Sequence, residues 1–185
     1  LIVARGGKII AKGTRNEPVI FTVEGDDLQG SVAKGSRGLW GGLIILGNAP
    51  VNVMGGEARI EGIPYFEPRG IYGGVDEDDN SGVLRYVSVR HGGTNIGEGN
   101  EINGLTLGGV GRGTEIDYVE VISNNDDGVE IFGGTVNLRH IVISGCSDDS
   151  YDYDLGWSGN GQFWLGFEND FVGDNVIEAG GGINP

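Results

Sequence analysis

The sequence predicts an all-β fold, a right-handed parallel β-helix with about 22–24 residues per coil. Three observations predict it: β-type segments recur in register, helical periodicity is missing, and glycine is abundant and punctuates the strands. Glycine accounts for 38 of 185 residues. Without a Gly-X-Y repeat, and with only five prolines and 38% apolar residues, the chain is neither collagen nor disordered. Glycine here marks tight turns.

The register is read from three turns. Asn125-Asp126-Asp127-Gly128, Ser147-Asp148-Asp149-Ser150 and Asn169-Asp170-Phe171-Val172 align without gaps, with offsets 147 − 125 = 22 and 169 − 147 = 22. One acidic column therefore runs Asp126, Asp148, Asp170, with Asp127 over Asp149 beside it. Upstream strands keep the spacing. Leu84 to Val89, Ile116 to Val121 and Leu138 to Ile143 are copies of one strand, with offsets 116 − 84 = 32 and 138 − 116 = 22. An insertion around Thr94 to Asn103 accounts for the longer step. Gly104 to Gly109 and Gly128 to Gly133 form a second aligned strand, offset by 24. Strands that repeat in order with short turns describe a stacked solenoid of about seven coils better than a sandwich or barrel. Val119 and Ile141 should be stacked neighbours.

The remaining strands read along the chain as Lys8 to Ala11, Val19 to Thr22, Leu43 to Leu46, Ala58 to Ile60 and Phe163 to Leu165. Many alternate, with one face in the core and one in solvent. In the last of these, Phe163 and Leu165 are expected inside and Trp164 outside. Length suits one domain over 1–185. The chain begins inside an apolar strand and ends in Gly180-Gly181-Gly182-Ile183-Asn184-Pro185, so it reads as part of a longer chain.

Charge narrows the partners. Acidic residues exceed basic ones by 27 to 12, a net charge of −15, which repels nucleic acid and attracts divalent cations. No run of 18 apolar residues exists to span a membrane. Cys146 stands alone, which excludes an internal disulfide and reads as a small core residue.

Two phrases carry a family resemblance. Gly7-Lys8-Ile9-Ile10-Ala11-Lys12-Gly13-Thr14, followed by Glu17-Pro18-Val19-Ile20-Phe21-Thr22, resembles secreted bacterial right-handed β-helix proteins. Asp148-Asp149-Ser150-Tyr151-Asp152-Tyr153, with Gly156-Trp157 and Gly161-Gln162-Phe163-Trp164, is similar to a motif of cell-surface proteins of that group. The resemblance implies the pectate-lyase-like superfamily and an extracellular or bacterial cell-surface location. That fold hosts lyases, hydrolases, adhesins and passive stalks, so it leaves function open.

The acidic turn column is the leading site. Residues on successive coils stack about 4.8 Å apart. Like charges at that distance cost about 0.8 kcal/mol at the dielectric of water and about 3 kcal/mol at an effective value of 20. Turn-amide capping by Asp is the first reading. The second is Ca²⁺ held by Asp126, Asp127, Asp148 and Asp149, since carboxylate oxygens suit a hard cation. Asp76 and Asp78, in Val75 to Gly82, are next in line. That loop has the Asp-x-Asp-x-Asn start of an EF-hand but Ser81 at the glycine place and Val87 at the closing Glu, so an EF-hand is rejected.

Catalysis is the third reading. Asn125-Asp126-Asp127-Gly128 resembles the paired-Asp motif of polygalacturonases, yet that family's Gly-His and Arg-x-Lys motifs have no counterpart. A lyase needs a basic residue beside Ca²⁺. Arg85 and Arg139 are the candidates, although pairing with Asp117 between them is the plainer expectation. Two histidines and one cysteine make a zinc site or a nucleophilic triad improbable.

Aromatics gather toward the C-terminus. Tyr151, Tyr153, Trp157 and Trp164 are expected to stack on sugar rings, or else to cover the end of a thin core together with Phe171. The preferred function is a non-enzymatic rigid stalk or adhesive module, calcium-stabilised and glycan-binding, with self-assembly through its coil ends. The alternative is a Ca²⁺-dependent lyase or hydrolase acting on acidic polysaccharide, with Asp126, Asp127 and Asp149 in metal or acid–base roles and Arg139 assisting.

Overall fold

A computed structural model of the chain describes residues 1–97, 102–170 and 172–181. Phe171 and part of the Thr94–Asn103 insertion fall outside them. In chain order the strands are β1 (Ile2–Val3), β2 (Ile9–Lys12), β3 (Val19–Phe21), β4 (Leu43–Leu46) and β5 (Glu57–Arg59). Next come β6 (Ile71–Gly73), β7 (Gly82–Arg90), β8 (Leu105–Gly108), β9 (Glu115–Ile122) and β10 (Val129–Phe132). The last four are β11 (Asn137–Ser144), β12 (Tyr151–Asp154), β13 (Gly161–Phe167) and β14 (Ile177–Ala179).

Two parallel sheets face each other. The first, sheet A, runs β1-β4-β8-β10-β12-β14, and the second, sheet B, runs β13-β11-β9-β7-β2, with β3 also on β7. The chain passes from one sheet to the other on every coil, which makes a parallel β-helix, right-handed as parallel crossovers are. The described coils give six strands in sheet A, fewer than the seven coils expected. The difference lies in residues 24–42, which form a loop, and 47–81, which contain the antiparallel pair β5–β6. Ala58 to Ile60 thus belongs to a hairpin and not to a coil.

The registers match the sequence reading. Leu84 pairs with Ile116, Ile116 with Leu138, and Val119 with Ile141. Leu105 pairs with Val129. Stacking puts like on like inside: Leu43, Leu105, Val129 and Tyr151 form one interior column, and Val87, Val119 and Ile141 another. These apolar side chains are withdrawn from water, the term that outweighs the chain entropy of ordering the coils. Cys146 is part of this core, and burial pushes its thiol up to about 12.

Sheet B carries a bend that the sequence did not announce. Tyr86, Tyr118, His140 and Phe163 occupy the same place on successive strands, and all four are left-handed, with φ of 50°, 55°, 52° and 61°. β2 pairs with the part of β7 before Tyr86 and β3 with the part after it. The bend therefore divides each coil of sheet B into two planes.

A second apolar cluster lies outside sheet A. Ile60 and Tyr72, from the β5–β6 segment, pack with Ile44, Leu46 and Val51. Gly108 is required there, because a Cβ on it would come 2.8 Å from the Tyr72 ring. The hairpin segment thus roofs the outer face of the early coils.

Candidate functional site

The acidic turns connect sheet B to sheet A. Asp127 and Asp149 turn inward, 7% and 1% exposed. The Asp127 Oδ1 accepts from the Asp149 amide at 2.9 Å, and the Asp149 Oδ1 accepts from the Asn175 amide at 2.6 Å. Each inner carboxylate therefore caps the turn one coil further on. Asp126 and Asp148 point outward, and together with Asp127 their ligand oxygens lie within 4.8 Å of one another. The column does not continue through Asp170. The turn after β13 is longer, so Asp174 takes the place beside Asp148 and Asp149.

A further carboxylate set sits where sequence reasoning did not look. On sheet A, Thr106, Glu130, Asp152 and Glu178 form one outward column in register. Asp127, Glu130 and Asp152 bring their oxygens within 4.8 Å of one another. Glu130 is 9% exposed and accepts from the Asn103 amide. Burial, then Asp126, pushes Asp127 up to about 8. Burial and the neighbouring Asp127 hold Glu130 well above the carboxylate range. Burial also raises Asp152, and burial with Asp152 pushes Asp154 up to about 6. The signal was present in the offset 152 − 130 = 22. It was hidden because Glu130 and Asp152 read as ordinary solvent-facing strand positions.

The loop at residues 76–80 is different. Asp78 Oδ1 lies 3.3 Å from Arg112 Nε, Glu77 pairs with the same guanidinium, and Asp76 caps the Asp78 amide. Neither Asp76 nor Asp78 joins a group of three metal-ligating side chains among the described residues. An arginine already answers this acidic loop.

The expected sugar-stacking aromatics face mainly inward. Tyr151 is 1% exposed and its hydroxyl donates to the Ile141 carbonyl at 2.9 Å, so it offers no face to a ligand. Trp164 stacks on Tyr151 with centroids 4.5 Å apart and donates to the Leu138 carbonyl. Trp157 follows at 5.8 Å from Trp164, donates to the Val136 carbonyl, and is met by Tyr153 at 5.1 Å. Trp164 pairs with core residue Ile141, whereas Phe163 and Leu165 are exposed, the reverse of the expected alternation. The left-handed Phe163 adds one outward residue and shifts the parity of those after it. These four aromatics fill the interior of the last coils.

The arginine expectation also changes. Arg85 lies 3.7 Å from Glu115, while Asp117 Oδ1 accepts from His140 Nδ1 at 2.8 Å. Arg139 is on sheet B, away from the sheet A carboxylates.

A groove lies on the outer face of sheet B, about 620 Å³ in volume. One side is the left-handed column, whose rings form a ladder. Tyr86 and Tyr118 stack at 4.6 Å, Tyr118 and His140 at 4.2 Å, and His140 and Phe163 at 4.8 Å. Ser88, Glu120, Val142 and Leu165, one register column, line the groove, with Arg15 and Pro18 from the loop before β3. Spacings of 118 − 86 = 32, 140 − 118 = 22 and 163 − 140 = 23 carry the ladder in the sequence. Its residue types differ, so no repeated letter marked it.

A family model for a pectate-lyase-like β-helix domain matches residues 1–182, and the chain belongs to that family. No curated protein and no solved structure matches it. Among the described residues no helix is long and apolar enough to cross a membrane.

Proposed function

We propose that the chain is a non-enzymatic, extracellular β-helix module that holds a neutral linear glycan along the outer face of sheet B. The observation that carries this reading is the groove of about 620 Å³ beside the four-ring ladder. An aromatic and aliphatic lining with a few polar groups, here Ser88, Glu120 and Arg15, is the usual make-up of a ligand site. The ladder crosses four strands, about 14 Å at 4.8 Å per step, which suits an extended polymer. A net charge of −15 disfavours acidic polysaccharide, and among the described residues Arg15 is the one lysine or arginine lining the groove. The parallel scaffold supplies the stiffness of a stalk or adhesive segment.

The enzyme alternative has one supporting observation, the carboxylates of raised pKa at Asp127 and Asp154. Among the described residues no lysine or arginine pairs with these carboxylates, Arg139 stands on the other sheet, and the hairpin segment covers the outer face of sheet A's early coils. The test is a panel of neutral and acidic polysaccharides, read for binding and for product release with Ca²⁺. Binding of a neutral glycan that falls about tenfold in Leu165→Asp, without products, is expected. Reducing ends or unsaturated products that vanish in Asp154→Asn would establish the enzyme instead.

A further inference from the structure

The two columns that form the sheet B groove change character together along the coil axis. The outward pair is Tyr86 and Ser88 on β7, then Tyr118 and Glu120 on β9. It becomes His140 and Val142 on β11, then Phe163 and Leu165 on β13. The column beside the ladder is thus polar on the first two strands and aliphatic on the last two. The ladder follows the same course: two phenol rings, an imidazole, and then a ring with no polar atom.

The polar end is organised by its own hydrogen bonds. Glu120 Oε1 accepts from Ser88 Oγ at 2.6 Å and lies 3.2 Å from Arg90 Nη2, while Arg90 Nε donates to Ser88 Oγ at 2.7 Å. That carboxylate is held in one orientation. Thr14 and Arg15 reach the same end from the segment between β2 and β3, both of which pair with β7. A fixed carboxylate with hydroxyl and guanidinium neighbours suits sugar hydroxyls, which both donate and accept.

The other end is open and apolar. Phe163 and Leu165 are 59% and 49% exposed, and Phe163 stacks on His140. Single exposed apolar side chains are ordinary, but here Val142, Phe163 and Leu165 form one end of a groove, which is the setting of a binding surface. A plain sugar laid along all four coils would put hydroxyls against side chains that cannot answer them, and polar groups desolvated without partners cost affinity.

We propose that the groove is specific for an amphipathic glycan, with sugar over β7 and β9 and a short apolar substituent, an alkyl or O-acyl group, over β11 and β13. The inference rests on the reading of this groove as a glycan site, and it adds the chemical class and the direction of the ligand.

The experiment titrates the chain by calorimetry with methyl and hexyl β-glycosides of glucose, galactose and mannose, and with hexan-1-ol, all below micelle formation. Each methylene withdrawn from water is worth about fourfold in affinity, so a hexyl glycoside should bind at least about tenfold tighter than its methyl counterpart and than hexanol. Nuclear Overhauser contacts should place the hexyl chain on the Val142 and Leu165 methyls and the sugar on the Tyr86 and Tyr118 rings. Val142→Thr, which adds a hydroxyl at nearly the same size, should cut the hexyl-to-methyl ratio about threefold. Tyr118→Phe keeps the ring stack and should weaken both glycosides alike.

Equal affinity for methyl and hexyl glycosides overturns this proposal and leaves the glycan reading standing. Contacts that run the other way along the groove do the same. Hexanol that binds as tightly as the hexyl glycosides, or no binding by any glycoside, overturns both. Methyl shifts at Val142 and Leu165 that grow with protein concentration alone give the apolar end to a second copy of the chain, and overturn the proposal.

Discussion

The carboxylate of Asp127 caps the backbone amide of Asp149, 22 residues later and one coil further along, at 2.9 Å. The side chain of one turn thus completes the backbone of the next. The repeat of Asp at this position is explained by that bond before any ligand is considered.

Replacing Asp127 separates the acceptor from the charge. Asp127→Ala leaves the Asp149 amide buried without a partner and should cost about 1–3 kcal/mol. Asp127→Asn keeps an acceptor oxygen and has no charge to bury at any pH, so without metal it should cost less or stabilise. Urea midpoints in chelator check the order, and an Asn variant as damaged as the Ala variant would contradict it.

Stability without metal should fall as pH rises. A carboxylate whose folded pKa is raised keeps its proton in the folded chain after the unfolded chain has lost it. Asp127 is ordinarily near 3.8 and is pushed up to about 8, and Asp154 rises from 3.8 to about 6. Between 3.8 and these values the folded state binds more protons, so each group subtracts up to about 1.4 kcal/mol per pH unit. The contribution is intact below about pH 4, shrinks through pH 6 as Asp154 ionises, and is gone above pH 8. Chemical denaturation from pH 5 to 8.5 in chelator measures the slope, and a flat or rising profile would exclude it.

Gly108→Ala tests the roof over sheet A. The added methyl meets the Tyr72 ring at 2.8 Å and a Leu46 methyl at 3.0 Å, so overpacking of about 1–3 kcal/mol is expected. The strain should be relieved by lifting the 47–81 segment. Faster proteolysis there, with sheet B unchanged in hydrogen exchange, is the expected pattern.

The ring ladder can be probed at its middle. Tyr118 stacks on Tyr86 and on His140 while holding a φ of 55°. Tyr118→Ala loses both contacts and retains the backbone cost, about 1–3 kcal/mol in all. Tyr118→Gly relaxes the backbone and should recover part of that loss. Thermal melts of the two variants give the comparison, and a Gly variant less stable than the Ala variant would show that the left-handed turn is not strained.

The architecture was legible because stacking makes register visible: Val119 over Ile141 and Leu105 over Val129 follow from spacing alone. Half of the acidic site was legible for the same reason, through Asp126, Asp127, Asp148 and Asp149. Glu130 and Asp152 were not, since their burial comes from segments outside the repeat, the 47–81 insertion and the stretch ending at Asn103. Trp164 was misassigned because a left-handed residue inside a strand breaks the period of two, and Phe163 does not look like a residue that adopts it.

That crease in sheet B separates shape from chemistry. The concavity comes from four backbone dihedrals at matched positions, so it survives when the rings on those residues are exchanged. What the concavity accepts is written in the outward column of Ser88, Glu120, Val142 and Leu165, of which Ser88 and Glu120 also join β7 to β9 by a hydrogen bond of 2.6 Å. Selectivity can be rewritten at Val142 and Leu165 without disturbing that bond, one coil at a time.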